Sequence, residues 1–192
     1  MFHDHTVILG SGSPRRRQLL QEMGIPFEIR LKEVDEVYPD HLKAEGISAY
    51  LAELKAAALL PTLVSNEILI TADTVVWHQG QSLAKPADGA EAQQMLQTLS
   101  GDWHEVITSV CFSTSSGQQT LSSSTKVHFK TLSTSDIEYY ISEFQPFDKA
   151  GAYGIQEWLG LIGIDHIEGS YTNVVGFPTA LVHSTLLKMV AS

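Results

Sequence analysis

Apolar and amphipathic segments alternate along the chain, and they are separated by glycine, proline and short polar stretches. Short apolar runs bounded by such residues are typical of buried strands, whereas apolar residues that recur at helical spacing predict helices. The pattern predicts strands at residues 6–10, 27–31, 68–77, 103–112 and 121–130, and helices at residues 14–23, 47–60, 90–99, 134–144 and 178–190. Because strands and helices are interleaved but include hairpins, we expect an α/β fold with a mixed sheet and flanking helices.

Two hairpins are predicted within this pattern. One joins the strands on either side of residues 113–120, whose Ser, Thr, Gly and Gln content predicts a flexible tip. The other turns at residues 78–81, and a two- or four-residue turn there places Lys85 opposite Thr74. A three-residue turn places Lys85 opposite Asp73. In either register, an ammonium lies within one cross-strand step of the Asp73 carboxylate.

The first turn of the helix predicted at residues 14–23 carries three consecutive arginines, Arg15, Arg16 and Arg17. Ser13 predicts the N-cap, and a helix N-terminus has unsatisfied N–H groups and the positive end of the helix dipole. Cationic side chains at the N-terminus are repelled by the positive end of the helix dipole, unless an anion lies between the side chains and the helix end. At about 100° per residue, Arg15 and Arg16 face a cleft at the strand end, whereas Arg17 faces solvent. The sequence thus predicts an anion site, with three surface cations as the alternative.

Asp73 is an acid in the middle of an otherwise apolar strand. Aspartate is disfavoured there, and it is costly when it is buried without a partner. Such aspartates are paired, metal-bound or catalytic, so we favour a functional carboxylate over a simple ion pair with Lys85. Lys55 borders the apolar stripe of its helix and Glu36 lies in an acidic loop segment, and neither position indicates a function by itself.

The net charge, the cysteine content and the length of the apolar segments exclude several kinds of binding partner. The net charge of -10 with only 12 Lys and Arg argues against a stable nucleic-acid complex, although a few cations focused in one cleft hold a small polyanion. The single cysteine, Cys111, excludes an internal disulfide, and the start of the chain lacks the features of a secretory signal. No segment approaches the roughly 20 apolar residues of a membrane helix. We therefore expect a cytoplasmic protein that has no membrane partner.

The eight histidines, His3 and His5 among them, show no metal-ligand spacing along the chain, which argues against a histidine zinc site. A serine-hydrolase elbow is also absent. The remaining candidates are clustered cations and isolated carboxylates. This combination suits phosphoryl chemistry with Mg²⁺ or Mn²⁺.

Short motifs follow one another in a specific order along the chain. They are residues 10–16 (GSGSPRR), 34–36 (VDE), 53–56 (ELKA), 72–76 (ADTVV), 85–86 (KP), 99–101 (LSG) with His104, 149–156 (KAGAYGIQ) and 169–176 (GSYTNVVG). With these motifs the chain resembles the Maf nucleoside triphosphate pyrophosphatases along nearly its whole length.

The resemblance implies a single Maf-like domain, residues 1–192, in which two lobes form one active-site cleft, with an inosine triphosphatase-like fold. It also implies hydrolysis of a nucleoside triphosphate to the monophosphate and pyrophosphate with a divalent cation, and a possible homodimer. Arg15, Thr74 and Gln156 resemble the residues of the branch that acts on dTTP and UTP, together with modified pyrimidine analogues.

The implied roles fall on nine residues. Asp73 would be the proton acceptor that activates water, and Glu36 and Asp73 would hold the metal. The substrate would contact Ser11, Arg15, Arg16, Lys55, Thr74, Lys85 and Gln156. The family commonly continues with glycine after the glutamine, whereas this chain has Glu157 and Trp158, which place a charge and a bulky ring beside the residue implied to read the base.

Two other functions stay open at this point. One is a non-catalytic nucleotide-binding regulator linked to septum formation, although the intact Asp73, Lys55 and Lys85 speak against lost catalysis. The other is a nucleotidyltransferase, because its glycine-rich loop with arginine is similar. That enzyme would need a second substrate before it releases pyrophosphate.

Overall fold

The computed structural model describes residues 5–191. Its strands are β1 (Thr6–Leu9), β2 (Phe27–Ile29), β3 (Glu67–His78), β4 (Gln81–Leu83), β5 (Trp103–Thr114), β6 (Gly117–Phe129) and β7 (Ile164–Glu168). Its α-helices are α1 (Pro14–Glu22), α2 (Glu45–Leu59), α3 (Gly89–Leu99), α4 (Thr134–Phe144), α5 (Trp158–Gly163), α6 (Tyr171–Val175) and α7 (Thr179–Ala191). Short 3₁₀ turns occupy Leu60–Thr62 and Ala150–Ala152. His3 lies outside the described residues, and so does most of the segment 1–6, which is expected to lack a secretory signal.

The helix starts follow their capping residues. Ser13 accepts the backbone N–H of Arg16 at 3.4 Å, as the Ser-Pro sequence predicts for the start of α1. At the start of α4, Ser133 and Asp136 form a reciprocal capping box. Each cap satisfies backbone donors that the first helical turn leaves free, so these boundaries are encoded locally.

The structure differs from the predicted pattern in two places. The tip predicted to be flexible at residues 113–120 is mostly strand, because β5 and β6 continue to the two-residue turn at 115–116. Polar side chains are compatible with this extension, since one face of an antiparallel ladder can meet water.

Residues 158–175 form α5, β7 and α6, which were not predicted. Elements of five or six residues are too short to show a reliable periodicity.

The sheet is mixed, and its strand order is β2-β1-β3-β5-β6-β7. β1 lies parallel to both of its neighbours, and the other pairs are antiparallel. β1 pairs with residues 67–70 of β3, and β4 pairs with residues 76–78 on the same edge. Residues 71–75 of β3 therefore have no strand partner on that edge, and Asp73 lies in the middle of this gap.

Alternate residues of β3 pack against different helices. One face of β3 packs against α1 and α7 through Ile68, Ile70 and Ala72. The opposite face packs against α2 through Leu69 and Val75. This alternation is the ordinary period of a strand. The alternation directs Asp73 towards α2 and Thr74 towards α1. A further core cluster joins α3, α4 and α5 around Phe129 and Tyr153 of the second half of the chain. The mixed sheet with flanking helices confirms the predicted fold class.

No helix within residues 5–191 combines the length and the apolar content that a bilayer crossing requires.

His104 on β5 predicts a measurable pH dependence of stability. Its side chain is buried, and its Nε2 lies 2.7 Å from the Tyr153 hydroxyl. Burial lowers the pKa of His104 to about 3. The unfolded chain binds a proton near pH 6.5 that the native state does not bind, so the free energy of unfolding falls as the pH drops from about 6.5 towards 3. Between pH 7.5 and pH 5, we expect His104 to account for about 2 kcal/mol of this loss.

Urea unfolding of wild type and His104→Gln at pH 7.5 and pH 5 measures this contribution. The variant is expected to lose about 2 kcal/mol less than wild type over this interval. The same loss in both proteins would show that His104 does not carry the effect.

Candidate active site

A cleft of about 970 Å³ opens beside the unpaired stretch of β3. Its walls come from the loop between β1 and α1, the loop before α2, helix α2, the segment after β4, and residues 148–156 and 174–176. All nine residues that the sequence singled out line it: Ser11, Arg15, Arg16, Glu36, Lys55, Asp73, Thr74, Lys85 and Gln156. The fold thus gathers residues that lie up to 145 positions apart along the chain, from Ser11 to Gln156.

Asp73 pairs with Lys55 from the helix packed over it. The Lys55 Nζ lies 2.7 Å from Asp73 Oδ1 and 3.1 Å from Glu36 Oε1. The Asp73 side chain is 11% exposed, whereas the Glu36 side chain, which also lines the cleft, is 45% exposed. One ammonium therefore holds a buried carboxylate and a solvent-facing carboxylate close to each other.

The charge state of Asp73 depends on opposing influences. Burial raises the pKa of Asp73, while the Lys55 ammonium acts in the opposite direction through its charge and its hydrogen bond. A base with a raised pKa binds a proton more strongly, provided that it is ionised at the working pH. Lys55 thus keeps a carboxylate available in a setting that strengthens it as a proton acceptor.

Lys85 is not the partner of Asp73, contrary to the hairpin argument. The predicted register is present, since Val76 pairs with Leu83 and His78 with Gln81. However, β4 ends at Leu83, two residues before Lys85, so the ladder does not extend to the carboxylate. Lys85 is an exposed residue of the cleft wall, and within residues 5–191 the ammonium paired with Asp73 is that of Lys55.

Arg16 occupies the gap in the β3 edge. Its guanidinium donates to four acceptors of the protein: Gly176 O at 2.9 Å, Ala72 O at 2.8 Å, Ser11 Oγ at 3.2 Å and Thr74 Oγ1 at 3.1 Å. An arginine has five N–H donors, so four of these bonds leave one donor uncommitted. Arg16 therefore joins the arginine loop, strand β3 and the end of α6. Arg17 is exposed, as the helical wheel predicts.

Helix α6 presents the Gly176 carbonyl to Arg16 because two features hold it in place. Buried Asn173 donates through Nδ2 to Val106 O and Thr125 Oγ1, both at 2.9 Å, which ties the helix to β5 and β6. Gly176 ends the helix with φ at 112°, a conformation that favours glycine. A Cβ at that position would also lie 3.3 Å from Thr74 Oγ1. The GSYTNVVG motif thus serves to position the helix end against the cleft.

Arg15 contacts Asp148, which in turn contacts Lys149, and the sequence assigned a role to neither of these two residues. Its Nη1 lies 2.9 Å from Asp148 Oδ2, and the other oxygen of this carboxylate lies 2.6 Å from Lys149 Nζ. Lys149 is 8% exposed and lines the cleft. It is thus a further cation of the site. Its only sequence signal was its place at the start of the 149–156 motif.

Glu157 holds Lys149 from the other side. Its carboxylate lies 3.0 Å from Lys149 Nζ and accepts a hydrogen bond from the Tyr140 hydroxyl. The same hydroxyl accepts the backbone N–H of Gly154 at 3.0 Å. Burial, with the hydrogen bond to Glu157, raises the pKa of Tyr140, so it remains a donor. This network braces the backbone on both sides of Gln156, which is exposed at the cleft wall.

Glu36 and Asp73 are suited to hold a divalent cation. Both offer carboxylate oxygens, the donors that Mg²⁺ and Mn²⁺ prefer. Both oxygens already lie within 3.1 Å of one ammonium, so they converge on a single positive charge. The donor set therefore fits the predicted metal, and it does so with the two residues that the family resemblance implied.

The chain is similar to known proteins over nearly its whole length. The family model described as "Maf-like protein" matches residues 6–189. A dTTP/UTP pyrophosphatase of Christiangramia forsetii is 52% identical over 192 residues, which cover 100% of this chain and 98% of that protein. A dTTP/UTP pyrophosphatase of Flavobacterium johnsoniae is 53% identical over 186 residues, which cover 97% of this chain and 96% of that protein.

Among solved structures, the Staphylococcus aureus Ham1 protein superposes with a TM-score of 0.50 at 15% identity, covering 96% of this chain and 99% of that one. This likeness concerns the fold alone and agrees with the mixed α/β architecture of this chain. The match of the family model over most of the chain and the high identity to the two relatives establish the family directly. The chain belongs to the Maf family.

Proposed function

We propose that this protein hydrolyses dTTP, UTP and modified pyrimidine analogues to the nucleoside monophosphate and pyrophosphate. The observation that carries the proposal is the buried Asp73 carboxylate, held by Lys55 in a cleft that other cations line. Hydrolysis of a polyphosphate requires neutralised negative charge and a base that orients and deprotonates water. The relatives named dTTP/UTP pyrophosphatase support the same reaction.

In the proposed mechanism, Asp73 accepts a proton from the attacking water. Its raised pKa favours this transfer, and Lys55 keeps it ionised beforehand. Arg15, Lys85 and Lys149 face the cleft as cations for the phosphate groups. They would compensate the charge that develops on the phosphate oxygens, which is the main requirement of phosphoryl transfer.

Arg16 would contribute to binding in a different way. Most of its donors are used to fix Ser11, Thr74 and the end of α6, so its principal task is to shape the loop that receives the phosphates. The one remaining N–H is the part of the side chain that is available to the substrate. This division assigns to Arg16 a positioning role as well as a binding role.

Glu36 and Asp73 would hold Mg²⁺ or Mn²⁺ in this site. When bound, such an ion adds positive charge that polarises phosphate oxygens and lowers the pKa of water. Removal of divalent cations with EDTA is therefore expected to suppress turnover, and added Mn²⁺ is expected to restore it.

Thr74 and Gln156 are proposed to set the preference for pyrimidine nucleotides, as the resemblance implies. Gln156 is an exposed side chain on the cleft wall, and its amide offers both a donor and an acceptor to a base edge. We also retain as proposals a single two-lobed domain over residues 1–192, a cytoplasmic location, a homodimer, and the absence of nucleic-acid and membrane partners.

A substrate panel tests the proposed function. Purified protein is incubated with Mn²⁺ and, separately, dTTP, UTP, CTP, 5-methyl-UTP, pseudo-UTP and 7-methyl-GTP, and kcat/KM is measured for each. The highest values are expected for dTTP, UTP and their analogues. Binding without turnover would favour the nucleotide-binding regulator. Pyrophosphate release that requires a second substrate would favour the nucleotidyltransferase.

Glu157→Gln tests the network beside Gln156. The variant keeps the shape of the side chain but removes the charge that holds Lys149 and accepts from Tyr140. We expect KM for dTTP to rise about 5- to 30-fold with little change in kcat, which corresponds to about 1–2 kcal/mol for a charged hydrogen-bonded contact. Glu143→Gln on the exposed face of α4 is the matched control. A KM equal to that of wild type would show that the contact of Glu157 with Lys149 does not support substrate binding.

A further inference from the structure

Two histidines and an aspartate meet on the sheet outside the cleft. His128 lies on β6, and Asp165 and His166 lie on β7, the outermost strand on that side. Asp165 Oδ1 lies 2.6 Å from His128 Nδ1 and 3.2 Å from His166 Nδ1. The three potential ligand atoms all lie within 4.8 Å of one another. Two strands, β5 and β6, separate β7 from the strand that carries Asp73.

An irregularity in the ladder brings the aspartate to this position. His128 pairs with His166, but the next residue, Phe129, pairs with Ile164. Asp165 is therefore the extra residue of a β-bulge. Neighbouring residues of a regular strand point to opposite faces, so without the bulge Asp165 and His166 would not approach the same partner. The bulge turns a cross-strand histidine pair into a cluster of three.

The surroundings leave the cluster accessible to an ion. The exposed fractions of the side chains are 24% for His128, 43% for Asp165 and 69% for His166. The Trp103 ring covers one side, with its centroid 5.1 Å from that of His128 and 6.1 Å from that of His166. The polar atoms thus face one another beside an apolar wall, and one direction remains open to solvent.

We propose that His128, Asp165 and His166 form a second cation site, one that binds a divalent transition metal, with Zn²⁺ as the foremost candidate. Two imidazoles and a carboxylate are a recurrent ligand set for Zn²⁺, and such three-ligand sites keep a further position for water. Imidazole ligands also suit Ni²⁺, Co²⁺ and Cu²⁺, whereas Mg²⁺ prefers oxygen donors. The site therefore differs in chemistry from the pair Glu36 and Asp73.

The present geometry is close to what coordination requires. Ligand atoms about 2.0–2.1 Å from a tetrahedral Zn²⁺ lie roughly 3.3 Å apart. Asp165 Oδ1 lies 2.6 Å from one imidazole nitrogen and 3.2 Å from the other, and no two of the three ligand atoms are more than 4.8 Å apart. Each of these distances is within about 1.5 Å of the spacing around Zn²⁺. Asp165 Oδ1 already hydrogen-bonds with His128 Nδ1 and lies 3.2 Å from His166 Nδ1, and a metal would take the place of the proton between these groups. Spacing along the sequence did not reveal this set, because strand pairing brings together residues 128 and 166.

A bound metal would fasten β7 to β6. The segment from Gln156 to Gly176 contains β7, so one end of it reaches the cleft wall and the other supports Arg16. The expected consequence is a gain in thermal stability, since an ion that binds only the native state raises the unfolding temperature. This expectation does not depend on the proposed catalytic function.

The test uses the full chain without an affinity tag, stripped of metals with a chelator. Zn²⁺ binding is measured by equilibrium dialysis with elemental analysis, and the unfolding temperature is measured with and without Zn²⁺. Wild type is expected to bind one Zn²⁺ more than His166→Ala and to show a larger rise in unfolding temperature. His183→Ala, which removes an exposed histidine on α7, is the matched control and is expected to behave as wild type.

Cu²⁺ provides a local readout, because Trp103 lies beside the cluster. Tryptophan fluorescence is expected to fall to a plateau at one equivalent of Cu²⁺ in wild type and His183→Ala, and to lose this phase in His166→Ala. Asp165→Asn gives an independent variant with a smaller change in side-chain size, and it is expected to weaken both metals. Equal Zn²⁺ content, equal thermal shifts and equal quenching in wild type and the two ligand variants would overturn the proposal.

Discussion

Asp73→Asn is expected to lower turnover of dTTP by about 10²- to 10⁴-fold, the range associated with a general base. The amide cannot accept the proton of the attacking water, although its oxygen can still accept a hydrogen bond from Lys55, which now lies 2.7 Å from Asp73 Oδ1. The change is nearly isosteric and replaces a buried charge, so the fold is expected to be retained. Pyrophosphate release in single-substrate assays and circular dichroism of the same samples check both parts.

Asp40→Asn is the matched control, because this aspartate is exposed and lies outside the cleft. It is expected to retain the activity of wild type. If folded Asp73→Asn turned over dTTP at a rate close to that of wild type, Asp73 would not be the proton acceptor. A normal rate together with a raised KM would instead make it a residue that only arranges Lys55 and the substrate.

Arg16→Lys is expected to reduce both activity and stability, even though it preserves the charge. A lysine ammonium has three donors at one point and cannot span acceptors on the arginine loop, β3 and α6 as the guanidinium does. Losing two or three of these bonds is expected to lower the free energy of unfolding by about 2–4 kcal/mol. Activity is expected to fall by at least about 10²-fold, because misplacement of substrate-positioning groups has costs of this order.

Arg17→Lys provides the comparison at the neighbouring exposed position and is expected to leave both properties unchanged. Urea unfolding and steady-state kinetics measure the two variants in parallel. If Arg16→Lys kept its stability and changed only KM, the guanidinium would serve to bind phosphate rather than to fix the loop. Equal damage at both positions would contradict the assignment of the two helix faces.

Local signals in the sequence predicted much of the architecture. The apolar run of β3 and the Ser13 cap act over a few residues, and the structure contains both of them. The short elements between residues 158 and 175 were missed, because five or six residues fit within fewer than two helical turns. The hairpin tip was predicted to be a loop from its polar composition, whereas pairing along β5 and β6 keeps it extended.

The candidate site shows where local reasoning ends. All nine predicted residues meet in one cleft, but the partner of Asp73 could not be chosen from hairpin register alone. Lys55 reaches Asp73 because α2 packs over the odd-numbered residues of β3, a contact between elements that are not paired in sequence. The contact of Arg15 with Asp148 joins residues 133 positions apart. Such contacts form only in the assembled fold. For the same reason, the sequence could not reveal Lys149 as a further cation of the cleft.

The most direct test of the proposed reaction is the identity and ratio of the products formed from dTTP. Purified protein is incubated with dTTP and Mn²⁺ as the only substrate and cation, and nucleotide and phosphate products are separated and quantified over time. We expect dTMP and pyrophosphate in equal amounts, with no product when EDTA is present. Formation of dTDP and inorganic phosphate, or the absence of turnover while dTTP binds, would contradict the proposal that this cleft carries out pyrophosphohydrolysis.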